Sequence, residues 1–164
     1  MKTILTVLFL VAASIAPAQS TDAPANVKLA AKEIRRYVYL RTGKLQPCPV
    51  TLKIDPALGV EEYRITTDTI TGGSDLGVLY GAYRYAELLG VRFYLQGDVV
   101  PDERLKQLPA VKEEAGKPAF KLRGILPFHD FPEGPDLWEA DDYKAVLAQM
   151  VKLRMNFIGL HTYT

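Results

Sequence analysis

The chain has 164 residues, 48% of them hydrophobic and 24% charged, the composition of an ordinary globular protein rather than a disordered or fibrous one. Its formal net charge is +1, and removal of an N-terminal leader containing Lys2 brings it to about zero. A neutral surface offers no electrostatic footprint for nucleic acid or anionic lipid, so neither is expected as a partner.

Lys2 gives a positive start, Ile4 to Ala13 an apolar run, and Ala16-Pro17-Ala18 a small-residue cleavage site. Residues 1–18 are therefore expected to be a secretory signal peptide. The apolar run is shorter than the roughly 20 residues a membrane anchor needs. No later segment is longer or more apolar, so the mature protein is expected to be secreted or periplasmic and not held in a membrane. Cys48 is the only cysteine and cannot form an internal disulfide. Between Pro47 and Pro49 it reads as a small buried hydrophobe rather than a nucleophile.

Asn26 is placed to cap a helix running to about Thr42, with Gly43 as its stop. Val27, Ala30, Ala31, Ile34 and Val38 form one apolar stripe at helical spacing. Val50–Ile54 and Glu62–Thr66 alternate with period two and predict half-buried strands, followed by a short third at Thr69–Thr71. Together they predict an antiparallel meander. Ser74 then caps a helix from Asp75 to about Leu89, ended by Gly90. That helix is apolar nearly all round, which predicts burial on more than one side. Gly77 and Gly81 inside it each cost roughly 1 kcal/mol against alanine, a cost that a close approach to a sheet explains. Val91–Tyr94 is a further strand, and 97–118 reads as a linker rich in proline and charge.

Lys121–Phe128 and Asn156–His161 are two apolar runs separated by a helix that opens at Asp141-Asp142 and carries Tyr143, Val146, Leu147 and Met150 on one face. This is a strand–helix–strand unit, and parallel pairs of this kind survive when further units cover both faces. The chain thus reads as the front of a longer protein, an α+β domain (25–110) followed by the start of a parallel α/β domain (119–164). His129-Asp130 close the first run and His161 closes the second. In parallel β/α barrels the site is built at the C-terminal ends of the strands, so these residues are candidate substrate contacts. Arg123, a charge inside a strand expected to be buried, needs a partner or a ligand. It joins them as a candidate, with pairing to a structural carboxylate as the plainer alternative.

Other motifs point less far. Gly72-Gly-Ser-Asp-Leu-Gly77 has the glycine spacing of a phosphate loop, but Val78-Leu79 stand where a lysine and a hydroxyl are needed, so a tight turn and close packing is the better reading. A zinc site from His129, Asp130 and His161 lacks the usual ligand spacing. No metal or other cofactor is expected. Glu133, Asp136, Glu139, Asp141 and Asp142 form an acidic loop where a carboxylate pair could sit, although a loop before a helix explains most of it. Trp138, Phe128 and Phe131 suit stacking on sugar rings or, more plainly, packing that loop.

The stretch Ser74 to Phe93 (SDLGVLYGAYRYAELLGVRF) resembles the helix motif of the α+β domain that precedes the barrel in secreted β-N-acetylhexosaminidases of glycoside hydrolase family 20 and α-glucuronidases of family 67. Phe120-Lys-Leu-Arg-Gly124 is similar to their first barrel strand, and Met155 through His161 to the second. The resemblance implies a (β/α)8 barrel beginning near residue 119 and a carbohydrate substrate. It also implies that Arg123 and His161 contact sugar, as in hexosaminidases, and that His129-Asp130 match the pair after the first strand of α-glucuronidases. The substrate is left open between hexosaminide and glucuronide. The catalytic carboxylates of both families lie on later strands, so this chain is expected to be catalytically silent alone. The other reading is a secreted carbohydrate-binding or structural module without chemistry.

Overall fold

The computed structural model describes residues 22–127 and 134–160. Its content is mixed α+β, with a four-stranded sheet, two two-stranded sheets and three α-helices among those residues.

Helix α1 spans Ala25–Thr42 and buries the expected stripe, together with Tyr37, Glu33 and Arg41. Pro24, not Asn26, occupies the cap position, and the first helical bond runs from Lys28 N to Pro24 O at 3.0 Å. A proline needs no partner for an amide hydrogen it lacks, so the helix begins two residues earlier than the asparagine suggests. Asn26 instead donates to the Asp75 carboxylate at 2.9 Å and ties the starts of two helices together. Gly43 closes α1 at φ 71°, as expected.

Strands β1 (Thr51–Ile54), β2 (Tyr63–Ile65), β3 (Thr69–Gly72) and β6 (Glu114–Gly116) make one sheet in the order β1-β3-β2-β6. The expected antiparallel meander is thereby corrected. β3 lies between β1 and β2, antiparallel to β2 but parallel to β1, with Leu52 opposite Ile70. The connection 55–62 is long enough to carry the chain across one strand's width, and the tight return at 66–68 drops β3 into the gap. The expected linker is not structureless either. It holds β5 (Gly97–Val99), paired with β4 (Arg92–Tyr94), and β6, which extends the sheet beyond β2.

Helix α2 (Asp75–Leu88) lies on this sheet and against α1. Ser74 caps it through its hydroxyl, which accepts from the amides of Leu76 and Gly77. Val78, Leu79, Tyr80, Ala82, Tyr83, Tyr85 and Ala86 are all buried in one core with Ile34, Ile65, Ile70 and Phe93. A Cβ at Gly77 would stand 2.5 Å from the Glu62 carbonyl oxygen, and one at Gly81 would stand 2.5 Å from Ile70 Cγ2. Both glycines are therefore the condition for helix-on-sheet contact at that depth.

Strand β7 (Gly124–Ile125) and strand β8 (Phe157–Ile158) pair in parallel, with α3 (Ala140–Lys152) between them in the chain. Both are shorter than the apolar runs that contain them. Pro127 brings no amide hydrogen to extend the ladder. Glu139 and Asp142 form a capping box at the start of α3. Of its apolar face only Met150 is buried, while Leu147 stays exposed.

Candidate functional site

Val151 and Leu153 of the β7–α3–β8 segment pack against the core of the sheet–helix body, and ion pairs make the rest of the joint. Three carboxylates from the body each receive a basic side chain from the segment. Glu61, in the connection before β2, accepts from Arg123 Nη1 at 3.1 Å. Glu87 on α2 accepts from Arg154 Nη2 at 2.7 Å, and Asp98 on β5 accepts from Lys152 Nζ at 2.8 Å. The Asp98–Lys152 pair is the most buried, with side chains 10% and 8% exposed. Tyr37 of α1 donates its hydroxyl to the same Asp98 at 2.7 Å, and the Lys152 ammonium lies 5.8 Å from the centre of the Phe93 ring. Burial pushes the Asp98 carboxyl up, but the bonds from Lys152 and Tyr37 outweigh it and hold it below the usual range. The same opposition, with Arg123 and Asn156 as donors, holds Glu61 low.

Glu61 reaches both strands of the parallel pair. Its Oε2 takes Arg123, beside β7, and its Oε1 takes Asn156 Nδ2, beside β8, at 3.1 Å. Asn156 adds two further bonds, accepting from the Arg123 amide at 2.9 Å and donating to the Lys121 carbonyl at 3.0 Å. One carboxylate therefore fixes the N-terminal ends of two neighbouring strands.

Of the residues expected to contact substrate, Arg123 is described and its partner is Glu61. Its Nε donates to the Arg154 carbonyl at 2.8 Å and its Nη1 also to the Phe120 carbonyl at 2.7 Å, while Nη2 is buried without a partner. His129, Asp130 and His161 lie outside the described residues, as do Phe128, Phe131 and Glu133. Of the acidic residues named in this region, Glu139 and Asp142 form the capping box of α3, Asp141 makes a 2.8 Å pair with Lys144, and Asp136 lies in a 3-10 turn at Pro135–Leu137. Trp138 meets the Tyr143 ring edge-on at 5.3 Å, so it packs this region. Cys48 is half-buried against the core, with its thiol pushed up by burial. At Gly72–Gly77 the α2 amides already bond the Ser74 hydroxyl, and Asp75 adds a negative charge, so the turn serves packing and not phosphate. Among the described residues no group of three or more His, Cys, Asp or Glu side chains is placed to hold a metal ion.

Beside the joint is a cavity of about 390 Å3 whose walls include Glu61, Tyr63, Tyr80, Glu87, Arg123 and Arg154. Two guanidinium nitrogens of these arginines, Arg123 Nη2 and Arg154 Nε, are sealed from solvent and have no acceptor. Arg154 is also the one non-glycine with positive φ among the described residues, at 61°. Sequence reasoning missed Glu61, Glu87, Asn156 and Arg154. Their spacing carries no motif, and they meet only because the sheet order brings the β1–β2 connection and the C-terminus of α2 to the same face. No protein-family model matches the chain, and no curated protein matches it.

Proposed function

We propose that the chain is the N-terminal part of a secreted glycoside hydrolase acting on oligo- or polysaccharides, with 25–110 as an accessory domain and 119–164 as the first βαβ unit of a (β/α)8 barrel. The observation that carries this reading is the parallel pairing of β7 with β8 across α3, Gly124 opposite Phe157 and Ile125 opposite Ile158. In the sequence His129-Asp130 begin four residues after the first of these strands and His161 comes three residues after the second, on the side at which barrel enzymes build their sites. Exposed Phe120, Leu122, Leu126 and Leu160 around the pair support it too, because such a cluster calls for more protein to cover it.

On this reading His129, Asp130 and His161 bind sugar hydroxyls or an acidic group at the strand ends. Arg123 lies instead at the N-terminal ends of the strands, where Glu61 and the Phe120 and Arg154 carbonyls hold it. The bond-breaking carboxylate pair belongs to later strands. The protein encoded by the whole reading frame is expected to hydrolyse an aryl β-N-acetylglucosaminide or an aryl α-glucuronide, whereas residues 1–164 alone release no product. Asp130→Asn and His161→Ala in the whole protein are expected to lower kcat/KM by about 100-fold or more. A reading frame that stops at Thr164, or one whose product cleaves no glycoside, sinks the proposal.

A further inference from the structure

Helix α1 carries five basic residues and one acidic residue, in a chain whose totals are 20 and 19. Arg41 and Glu33 turn inward, and Arg41 donates to the Leu89, Pro101 and Glu103 carbonyls. Lys28, Lys32, Arg35 and Arg36 stay outside, together with Leu29, Tyr39 and Leu40. At 3.6 residues per turn these side chains share roughly 140° of the helix circumference, and no carboxylate stands among them. Arg36 reaches Glu33 at 3.4 Å and Asp98 at 3.7 Å. Lys28, Lys32 and Arg35 make no ion pair among the described residues. A net charge near zero describes the whole chain and not this face.

The arrangement works against the helix that carries it. Lys28 is in the first turn, where the helix dipole favours an acid and α1 has none. Lys28 with Lys32, and Lys32 with Arg36, are like charges four residues apart, which weaken a helix instead of supporting it. A face serving only as solvated surface gains by interleaving acids with its cations, and this one does not. It is therefore complementary to an external anion.

Spacing and exposure select the class of anion. Lys28, Lys32 and Arg35 follow one another at steps of roughly 4.5–6 Å along the axis, comparable to the length of one sugar residue in an extended chain. Tyr39, 43% exposed, stands one turn beyond Arg35 on the same line and supplies an aromatic ring. A lipid surface is served less well. Leu29 and Leu40 are only 39% and 38% exposed, and the opposite stripe of α1 is sunk in the core, so the helix has no apolar face to insert.

We propose that the outer face of α1 binds an acidic polysaccharide, one whose sugar residues carry carboxylates, with Lys28, Lys32 and Arg35 paired to those carboxylates and Tyr39 packed against a sugar ring. The inference rests on α1 alone and survives failure of the glycoside hydrolase reading. Where that reading holds, the face keeps the enzyme on a polymer while the barrel works elsewhere along it.

The chain is titrated with polygalacturonate, with neutral dextran, with poly-L-glutamate and with phosphatidylglycerol vesicles. Polygalacturonate is expected to bind saturably, to shift the Lys32, Arg35 and Tyr39 amides in NMR spectra, and to weaken by about threefold or more from low to physiological salt. Lys32→Glu combined with Arg35→Glu is expected to weaken it by about tenfold or more. Lys32→Gln with Arg35→Gln reads a smaller loss in the same direction if the reversed variant fails to fold. Tyr39→Ala is expected to weaken polygalacturonate and leave poly-L-glutamate unchanged. No saturable binding of polygalacturonate, equal affinity for dextran or poly-L-glutamate, tighter binding to the vesicles, or unchanged affinity in the folded charge variants overturns the proposal.

Discussion

At the scale of single residues, two glycines and one arginine carry most of the information. Gly77 and Gly81 are visible in the sequence as costly positions in a helix, and the atoms they admit are the reason for them. Gly81→Ala gains helix propensity but sets a methyl against Ile70, which is fully buried in the sheet and β-branched. Its net effect is expected to be a loss of about 1–2 kcal/mol, read as a lower urea midpoint with an unchanged slope. An unchanged or raised midpoint would mean that α2 sits further from the sheet. Arg154 had no such signature. An arginine after a helix is common and signals nothing, and only its backbone angle marks it. Arg123 is intermediate: a charge in an apolar run announces a partner, but whether that is Glu61 or a sugar is a matter of tertiary placement, since Glu61 lies on a connection.

At the scale of elements, helices were legible and strand order was not. Stripes of period 3.6 and the Ser74 and Gly43 signals locate α1 and α2 within a residue or two, because they are local. Pairing is non-local. Alternation marks β2 and β3 as strands but does not say that β3 would lie beside β1, and β6, with its small Ala115-Gly116, lacks alternation altogether. It is recruited by the register that sets Gly116 opposite Tyr63 and by the Arg84–Glu114 pair. For the β7–β8 pair the decisive contact is Glu61. Glu61→Gln preserves shape but removes the charge on which Arg123 relies. It is expected to cost about 1 kcal/mol, as befits a partly exposed ion pair. Hydrogen exchange is expected to speed up first at the Phe157 and Gly159 amides, whose acceptors are the Arg123 and Ile125 carbonyls. If those amides keep wild-type protection, Glu61 does not hold the strands.

For the whole molecule, paired carboxylates set the response to pH, Asp98 and Glu61 in the joint and Glu114 with Arg84 inside the body. Asp98, Glu61 and Glu114 all titrate below their ordinary values of 3.8 for Asp and 4.5 for Glu, so each binds its proton less readily when folded than when unfolded. Their stabilisation is complete above about pH 4.5 and drains away as the pH falls through the depressed folded values. The opposite sign applies at the alkaline end. Burial pushes Tyr85 up to about 12 from 10.0, so above pH 10 the unfolded chain ionises first and stability falls. Urea midpoints measured from pH 2 to 12 are expected to show a plateau with losses at both ends, and salt is expected to narrow the acid loss only slightly because Asp98 and Lys152 are shielded from it. A midpoint that stays constant below pH 4 would show that the three pairs contribute nothing.

The direction of the chain gives the joint one more meaning. Glu61, Glu87 and Asp98 all precede Arg123, Lys152 and Arg154, so the acceptors are synthesised before any of their donors. Nearly all of the core comes from the sheet–helix body, with only Val151 and Leu153 of the later segment packed against it, so the body can consolidate early and present a fixed triangle of negative charge onto which that segment is captured. In a pulse-labelling refolding experiment, amides of α2 are expected to gain protection before those of β8. The body would then act as an intramolecular template for the β7–α3–β8 segment, and a lesion in α1 at Tyr37 would be felt, through Asp98 and Lys152, as misassembly of a segment synthesised far later.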